Sequence, residues 1–408
     1  MTSLDTYVLT FNCGREVIQP TVFGPHLFSV ATSAPDLLVL CLQEVAPIGY
    51  AFLGGSFLSP YFNAFRQAVK LAGGNYVNII ARNVGLTAIM VFAKEDIASN
   101  VRWMQTGGVG VGVSEMGNKG AVGIRLGYDM GDDVLPLTFI SAHLAPMEDA
   151  LARRNQDYQD IVKGLVFVND SKSPAKDERE EDSPLLQGKL AGKEGEGVYL
   201  PSSHVLFAGD LNYRTSLLQP SAADVNTFPQ PTKDKSDPKH FSHLLEEDQL
   251  IQELKANRTL HHLIEEPINF APTYKYHPQH EITIDDNQPW PWASHRWPSW
   301  CDRVLRSPTN MTAYAYDSLP LFGTSDHRPV ALSVSIPLKA VEADYPSAAA
   351  NFKINPDWRS RRDAARRKEI MFGLLAYLTW TWEGNGLLLA STIGAVGGWY
   401  ILRSILLG

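Results

Sequence analysis

Asp210 and Asn212 stand two residues apart at the end of an apolar run, in Val205-Leu-Phe-Ala-Gly-Asp-Leu-Asn-Tyr-Arg214. A second segment, Thr324-Ser-Asp-His-Arg-Pro-Val-Ala-Leu-Ser-Val334, sets Asp326 and His327 just ahead of an apolar run. Between them, Trp300-Cys-Asp-Arg303 places Asp302 before Val304-Leu305. A carboxylate can orient or deprotonate water, and an amide can hold an oxyanion without adding negative charge. An imidazole beside a buried acid is fixed in one tautomer and favoured in its protonated form. This chemistry belongs to a hydrolase, and the three segments are expected to converge as sheet ends on one pocket.

Other segments repeat the pattern of a strand closed by a polar group. Asn12 ends Tyr7-Val-Leu-Thr-Phe-Asn12, Gln43-Glu44 follows Leu37-Leu-Val-Leu-Cys-Leu42, and His143 follows Leu137-Thr-Phe-Ile-Ser-Ala142. A few partly neutral oxygen donors of this kind suit Mg²⁺, which keeps several waters and shares substrate phosphate. Gly117-Asn118-Lys119-Gly120 offers an amide and an ammonium in a turn before a strand. Taken singly, Gly-Asp-x-Asn is an ordinary turn, Glu44 a surface acid, and each histidine a structural group. Their accumulation at strand ends favours a site.

The elements that must position these groups are short. Strands are predicted over 7–12, 37–42, 86–92, 120–126, 137–142, 205–208 and 331–336. Helices are predicted over 147–168 and 241–251. Many strands with few long helices imply a two-sheet sandwich flanked by helices. With 408 residues, 44% of them hydrophobic, the chain can build a substantial core. Its net charge of −8 argues against nonspecific grip on nucleic acid. Cys13, Cys41 and Cys301 show no paired or zinc-type spacing and are expected as reduced thiols. The first residues lack the pattern of a secretory signal.

Residues 171–198 are rich in Lys, Glu, Asp, Ser, Pro and Gly and are expected to form a disordered loop. A linker with a basic cluster (Arg359, Arg361, Arg362, Arg366, Arg367, Lys368) is expected over 338–369, followed by a hydrophobic anchor over 370–408. Within that anchor, the run from Leu387 to Leu402 with its terminal leucines just reaches the roughly 20 residues that cross a bilayer. The run 370–382 is expected to lie in the interface or to start a hairpin. The upstream arginines would keep the catalytic part cytoplasmic, and insertion is expected to follow translation.

The ordered blocks Phe11-Asn12, Gln43-Glu44, Gly117-Asn-Lys-Gly120, Ser141-Ala-His-Leu-Ala145, Gly209-Asp-Leu-Asn-Tyr-Arg214, Phe270-Ala-Pro-Thr-Tyr-Lys-Tyr276, Pro298-Ser-Trp-Cys-Asp-Arg303 and Ser325-Asp-His-Arg-Pro-Val330 resemble the inositol polyphosphate 5-phosphatases. These belong to the endonuclease/exonuclease/phosphatase superfamily. The resemblance covers about residues 5–337. It implies a catalytic domain over 1–337 with a four-layer α/β sandwich fold, two packed mixed β-sheets flanked by helices, followed here by a C-terminal membrane helix.

The resemblance also implies roles. Glu44, with Asn12 beside it, would hold Mg²⁺, with Asp326 nearby. Asp210 would position and activate water, and Asn212, His327 and His143 would contact the scissile phosphate, with Asp302 orienting His327. Tyr274, Lys275 and Arg296 would recognise a neighbouring 4-phosphate, and Asn118, Lys119 and Arg214 would add substrate contacts. The implied reaction is removal of the 5-phosphate from phosphatidylinositol 4,5-bisphosphate. The apolar tail is similar to that of fungal members anchored by their C-terminus in the endoplasmic reticulum. The expected partners are a phosphoinositide lipid and a membrane, without nucleic acid, and the chain is expected as a monomer. An endonuclease, a sphingomyelinase, or a phosphoinositide binder with a vestigial site are the competing expectations.

Overall fold

A computed structural model describes residues 2–131, 133–169, 194–277, 288–341 and 352–407. In chain order the strands are β1 (Ser3–Asn12), β2 (Leu37–Gln43), β3 (Tyr76–Val84), β4 (Thr87–Lys94), β5 (Val101–Gly110), β6 (Gly120–Asp129), β7 (Val134–His143), β8 (Val168–Asn169), β9 (His204–Asp210), β10 (Ile264–Glu265), β11 (Asp302–Arg306), β12 (Thr312–Ser318) and β13 (Val330–Pro337). One sheet has the order β12-β13-β1-β2-β4-β3, the other β10-β11-β9-β7-β6-β5-β8. Both are mixed, since β1–β2 and β7–β9 pair in parallel and the remaining neighbours antiparallel.

Four layers follow from alternation along the strands. In β2, Leu37, Val39 and Cys41 face the other sheet, where they meet residues such as Val122, Leu137 and Leu206. Leu38, Leu40 and Leu42 face outward onto Phe65 and Ala68 of the helix Ser59–Ala72. On the far side, Ile140, Val205 and Phe207 pack beneath Tyr158 and Ile161 of the helix Leu151–Gly164. A strand covered on both faces has no reason to alternate apolar with polar, which is why these segments read as continuous apolar runs.

Each of the seven predicted strands is present, lengthened by a few residues. The predicted helix over 241–251 is two helices, Phe241–Leu245 and Gln249–Lys255. Asp248 separates them: its carboxylate caps the second by accepting the Ile251 N–H at 2.9 Å and pairs with buried Arg303 at 3.0 Å. Most of the loop expected over 171–198 lies outside the described residues. Its end is tied to the body, with Gly195 N–H donating to Phe167 O and Phe167 N–H to Glu196 O, both at 3.0 Å.

The expectation of a linker over 338–369 fails for its last third. Trp358–Trp380 is one helix, docked on the helix Ile48–Leu53 by Phe372 against Phe52 and Tyr377 against Tyr50 and Phe57. Its inner stripe, Ala365, Glu369, Gly373 and Ala376, is buried, while Ile370, Met371, Leu374, Leu375 and Trp380 are exposed. A terminal helix, Trp382–Leu407, follows after Thr381 and buries almost nothing.

Candidate active site

The groups singled out in the sequence gather at one end of the sandwich because register puts them there. In the second sheet, His143, Asp210 and Asp302 are directly opposite one another across β7, β9 and β11. In the first, Asn12 lies opposite Gln43 at the ends of parallel β1 and β2. Close approach of β9 to β7 requires glycine ahead of Asp210, since a Cβ at Gly209 would lie 1.9 Å from Ala142 O.

Polar bonds then cross between the sheets. Asn12 Nδ2 donates to Asp210 Oδ2 at 2.9 Å and Gln43 Nε2 to Ser141 Oγ at 3.2 Å; on the first sheet's own side, Ser325 Oγ, just ahead of β13, donates to Asn12 O at 2.6 Å. Asp210 Oδ2 is also 3.1 Å from His143 Nε2 and 4.0 Å from His327 Nε2. Burial resists the Asp210 charge, but His143, His327 and Lys119 outweigh it and hold this carboxyl far below the ordinary range.

Asp302 is fully buried and its Oδ2 accepts from Thr273 Oγ1 at 2.7 Å and lies 2.8 Å from His327 Nδ1. Burial opposes charge on His327, yet Asp302, Asp210 and Asp326 raise its pKa to about 9. The imidazolium is therefore the resting form at neutral pH. Its Nδ1–H is committed to Asp302, which leaves Nε2–H for the site.

His143 is different. Burial and Lys119 keep it below its usual pKa despite Asp210 and Glu44, so it is neutral. Lys119 Nζ lies 2.5 Å from its Nε2 and 3.8 Å from Glu44 Oε1. The amide beside it, Asn118, spends its Oδ1 on the Val113 N–H at 3.1 Å and braces the turn.

Asn212 shares the Asp210 neighbourhood, though not by strand alternation. It follows the strand with φ of +57°, its N–H donating to Asp210 Oδ1 at 3.1 Å and its Nδ2 to Leu144 O at 3.2 Å. Arg214 supports it from below, with Nη2 donating to Asn212 Oδ1 at 2.5 Å and the guanidinium 4.4 Å over the Tyr274 ring. The Tyr274 ring in turn lies 4.6 Å from His327.

Lys275 and Arg296 are each paired with a carboxylate, Lys275 with Asp326 and Arg296 with Glu148 at 2.8 Å. Asp326 thus stands 3.9 Å from His327 Nε2 but is engaged by an ammonium. Glu148, Thr273, Ser325 and Arg15, which pairs with Glu44 at 2.8 Å, are part of the network and were not singled out in the sequence. Ser325 and Thr273, each one residue before a group named above (Asp326 and Tyr274), carried a local signal of location, whereas Glu148 and Arg15 did not.

Asp210, Asp302 and His327 offer ligand atoms within 4.8 Å of one another, but Asp302 and His327 spend theirs on each other. Glu44 is the better cation ligand. Against the effect of burial, His143, Lys119 and Arg15 keep it ionised, and it remains 21% exposed. Asn12 lies opposite Gln43, the residue before Glu44, and its Oδ1 accepts one N–H, from Gly14 at 3.1 Å; these donors are hard oxygens and fit a divalent cation such as Mg²⁺.

Residues 9–333 match the family model described as Endonuclease/Exonuclease/phosphatase family 2. The chain belongs to this family. Among its curated relatives, the mouse type II inositol 1,4,5-trisphosphate 5-phosphatase is 27% identical over 345 residues, covering 83% of this chain and 30% of the relative. A probable inositol polyphosphate 5-phosphatase of Schizosaccharomyces pombe is 30% identical over 378 residues, covering 86% and 29%. This chain thus spans less than a third of those proteins' length. In structure it is similar to the inositol polyphosphate 5-phosphatase domain of SpSynaptojanin, crystallised with inositol (1,4)-bisphosphate and calcium ion. The TM-score is 0.61 with 24% identity, covering 90% of both chains. Cimex nitrophorin shares the family fold too, with TM-score 0.54, 16% identity and coverage of 83% and 99%. The fold therefore hosts more than one function, and function must be argued from the site.

Proposed function

We propose that the chain is a Mg²⁺-dependent phosphoinositide 5-phosphatase that converts phosphatidylinositol 4,5-bisphosphate to phosphatidylinositol 4-phosphate and phosphate. The observation that carries the proposal is the contrast within one buried cluster: an ionised Asp210, a neutral His143 and a cationic His327 within 4.0 Å of the same carboxylate oxygen. Hydrolysis of a phosphate ester needs an acceptor for the attacking water and positive charge for the phosphoryl oxygens. Asp210, with so low a pKa, is a weak proton acceptor at neutral pH and acts by orienting the water. His327 Nε2–H and Lys119 stabilise the charge on the phosphoryl oxygens, and Asn212 adds a neutral contact. The water oxygen bonds to phosphorus as the bond to the 5-oxygen breaks, and one proton of that water ends on the 5-oxygen, which leaves as the inositol hydroxyl. Glu44 and Asn12 would hold the Mg²⁺, and Asp326 would join them only on release from Lys275; when bound the ion would acidify water and neutralise phosphate charge.

Substrate identity rests on Tyr274, Lys275 and Arg296. A phenol, an ammonium and a guanidinium suit a second phosphate dianion next to the one cleaved. The names of the relatives point to inositol substrates bearing a 5-phosphate.

The lipid form of the substrate is supported by the terminal helix. Its most apolar 18-residue stretch has mean hydropathy 1.3, and the 26 residues extend about 39 Å at 1.5 Å per residue, against a hydrocarbon core of about 30 Å. The exposed apolar face of Trp358–Trp380 suits the membrane interface, and the arginines suit a cytoplasmic position. The uncharged run 387–402, closed by Arg403, is short enough to favour the thin bilayer of the endoplasmic reticulum.

Phosphate release from dioctanoyl phosphatidylinositol 4,5-bisphosphate, with and without EDTA, tests the activity. Release that stops with EDTA and returns with Mg²⁺ is expected. No release under either condition would leave a phosphoinositide binder as the better account.

A further inference from the structure

The helix Trp358–Trp380, which runs into the candidate membrane span, grips the catalytic body at two places. Near its C-terminus it crosses the Ile48–Leu53 helix closely, for a Cβ on Gly373 would lie 2.8 Å from Phe52 Cβ and one on Gly49 3.0 Å from Tyr377 N. Both positions therefore admit only glycine without displacement. Nearer its start it holds the segment 112–119. Arg361 pairs with Glu115, Lys368 Nζ donates to Ser114 O at 3.2 Å, and Glu369 Oε1 accepts the Gly117 N–H at 2.7 Å.

Glu369 sits in the middle of the apolar inner stripe at 4% exposure. A buried acid there is costly unless its oxygens are satisfied. Its second oxygen is 3.1 Å from Arg366 Nη1, and Arg366 itself donates to Phe52 O at 2.6 Å and Leu53 O at 2.9 Å. One carboxylate thus joins the helix, the Ile48–Leu53 segment and the Gly117 peptide.

Gly117 lies two residues from the chemistry. Its carbonyl accepts the Leu86 N–H at 2.9 Å, and it is pressed so closely on Gly85 that a Cβ would lie 2.8 Å from Gly85 N. Lys119 follows, its carbonyl accepting the Val111 N–H at 2.8 Å and its Nζ reaching His143 and Glu44. A shift of the Gly117 peptide is transmitted to Lys119 through this short turn.

We propose that Glu369 is a positioning residue for the active site: by accepting the Gly117 N–H it holds Lys119 against Glu44 and His143. The helix leading into the membrane is then part of the catalytic scaffold. From Glu369 to Trp380 the chain rises about 16 Å as helix, and Thr381 alone separates it from the terminal helix, its Oγ1 accepting the Gly384 N–H at 3.1 Å. The site is held at a short, fixed distance from the membrane span rather than on a loose tether. The catalytic consequence rests on the phosphatase proposal; the contact does not.

The test compares wild type, Glu369→Leu and Glu369→Gln as full-length chains in phosphatidylcholine nanodiscs. Leucine keeps the volume but accepts no hydrogen bond, whereas the glutamine carbonyl still can. Two readouts are taken: amide hydrogen exchange over residues 112–119, and kcat and KM on soluble inositol 1,4,5-trisphosphate. Glu369→Leu should speed exchange at least about 10-fold and lower kcat about 10-fold, with KM changed less than about twofold. Glu369→Gln should restore both. Should Glu369→Leu fail to fold, Glu369→Asp, one methylene too short, should give the same pattern. Wild-type exchange and kcat in the leucine or aspartate variant would overturn the proposal, as would a glutamine variant as impaired as leucine. A wild type that releases no phosphate refutes the activity instead, and exchange alone then decides: protection lost with leucine and kept with glutamine supports the positioning role, and unchanged protection refutes it.

Discussion

Asp302 Oδ2 lies 2.8 Å from His327 Nδ1, with both side chains buried at the rim where β11 begins. Burial alone would favour a neutral imidazole; the three carboxylates around it lift its pKa to about 9 instead. A folded-state value above the ordinary 6.5 means that the stabilisation is complete below about 6.5 and is lost as pH rises through about 9. In metal-free protein, the His327 ring followed by NMR should titrate near 9, and in Asp302→Asn it should titrate well below that. The same substitution should lower turnover roughly 10²-fold or more. A wild-type ring titrating near 6.5 would remove the imidazolium from the proposed chemistry.

Asp210 collects the Asn12 amide, His143 and, more distantly, His327. Asp210→Asn keeps the shape and removes the charge that orients water. Phosphate release should fall by about 10² or more with an unchanged near-ultraviolet circular dichroism spectrum. A variant that retains more than about a tenth of the rate would show that another group aligns the water.

The sequence made legible those parts of fold and site that lie in single contiguous segments. Asp210, Asp302, His143 and His327 were recognisable because each adjoins a buried strand, and burial on both faces turned the strands into plain apolar runs. Partners chosen by tertiary register were not recognisable. Asn12 meets Asp210 across 198 residues, and nothing local marks Thr273 as a donor to Asp302 or Glu148 as the partner of Arg296. The helix Trp358–Trp380 was missed for another reason. Its arginines look solvated, but Arg361 and Arg366 spend their charge on Glu115, on Glu369 and on backbone carbonyls. Its buried stripe of alanine, glutamate and glycine carries too little hydrophobicity to show the helical period.

Lys275 and Arg296 begin in ion pairs, with Asp326 and Glu148, so a phosphate must replace a carboxylate at each. The exchange is favourable for a dianion and costs something for weaker ligands. Lys275→Met and Arg296→Met should raise KM about 10-fold or more for a substrate with a 4-phosphate, given roughly 1.5–3 kcal/mol for a charged hydrogen bond. They should leave a 5-monophosphate nearly unaffected. Kinetics on the two substrates side by side checks this, and equal impairment of both would refute the assignment.

His204 opens β9, far along the strand from Asp210, and governs stability rather than chemistry. It is 2% exposed, with Nδ1 2.7 Å from Thr309 Oγ1 and Nε2 without a hydrogen-bond partner among the described residues. Burial therefore lowers its pKa to about 4. The unfolded chain, with a histidine near 6.5, binds the proton first as pH falls. Stability is then full above about 6.5 and declines as pH drops toward about 4, by about 3 kcal/mol in all at 1.36 kcal/mol per pH unit. Urea unfolding of wild type and His204→Asn at pH 7.5 and pH 5.0 isolates this contribution, because other titrating groups are common to both. Wild type should lose about 2 kcal/mol more than the variant over that interval. Parallel losses would mean that His204 takes up its proton in the folded protein as readily as in the unfolded chain, and that the pocket beside Thr309 admits water to its Nε2.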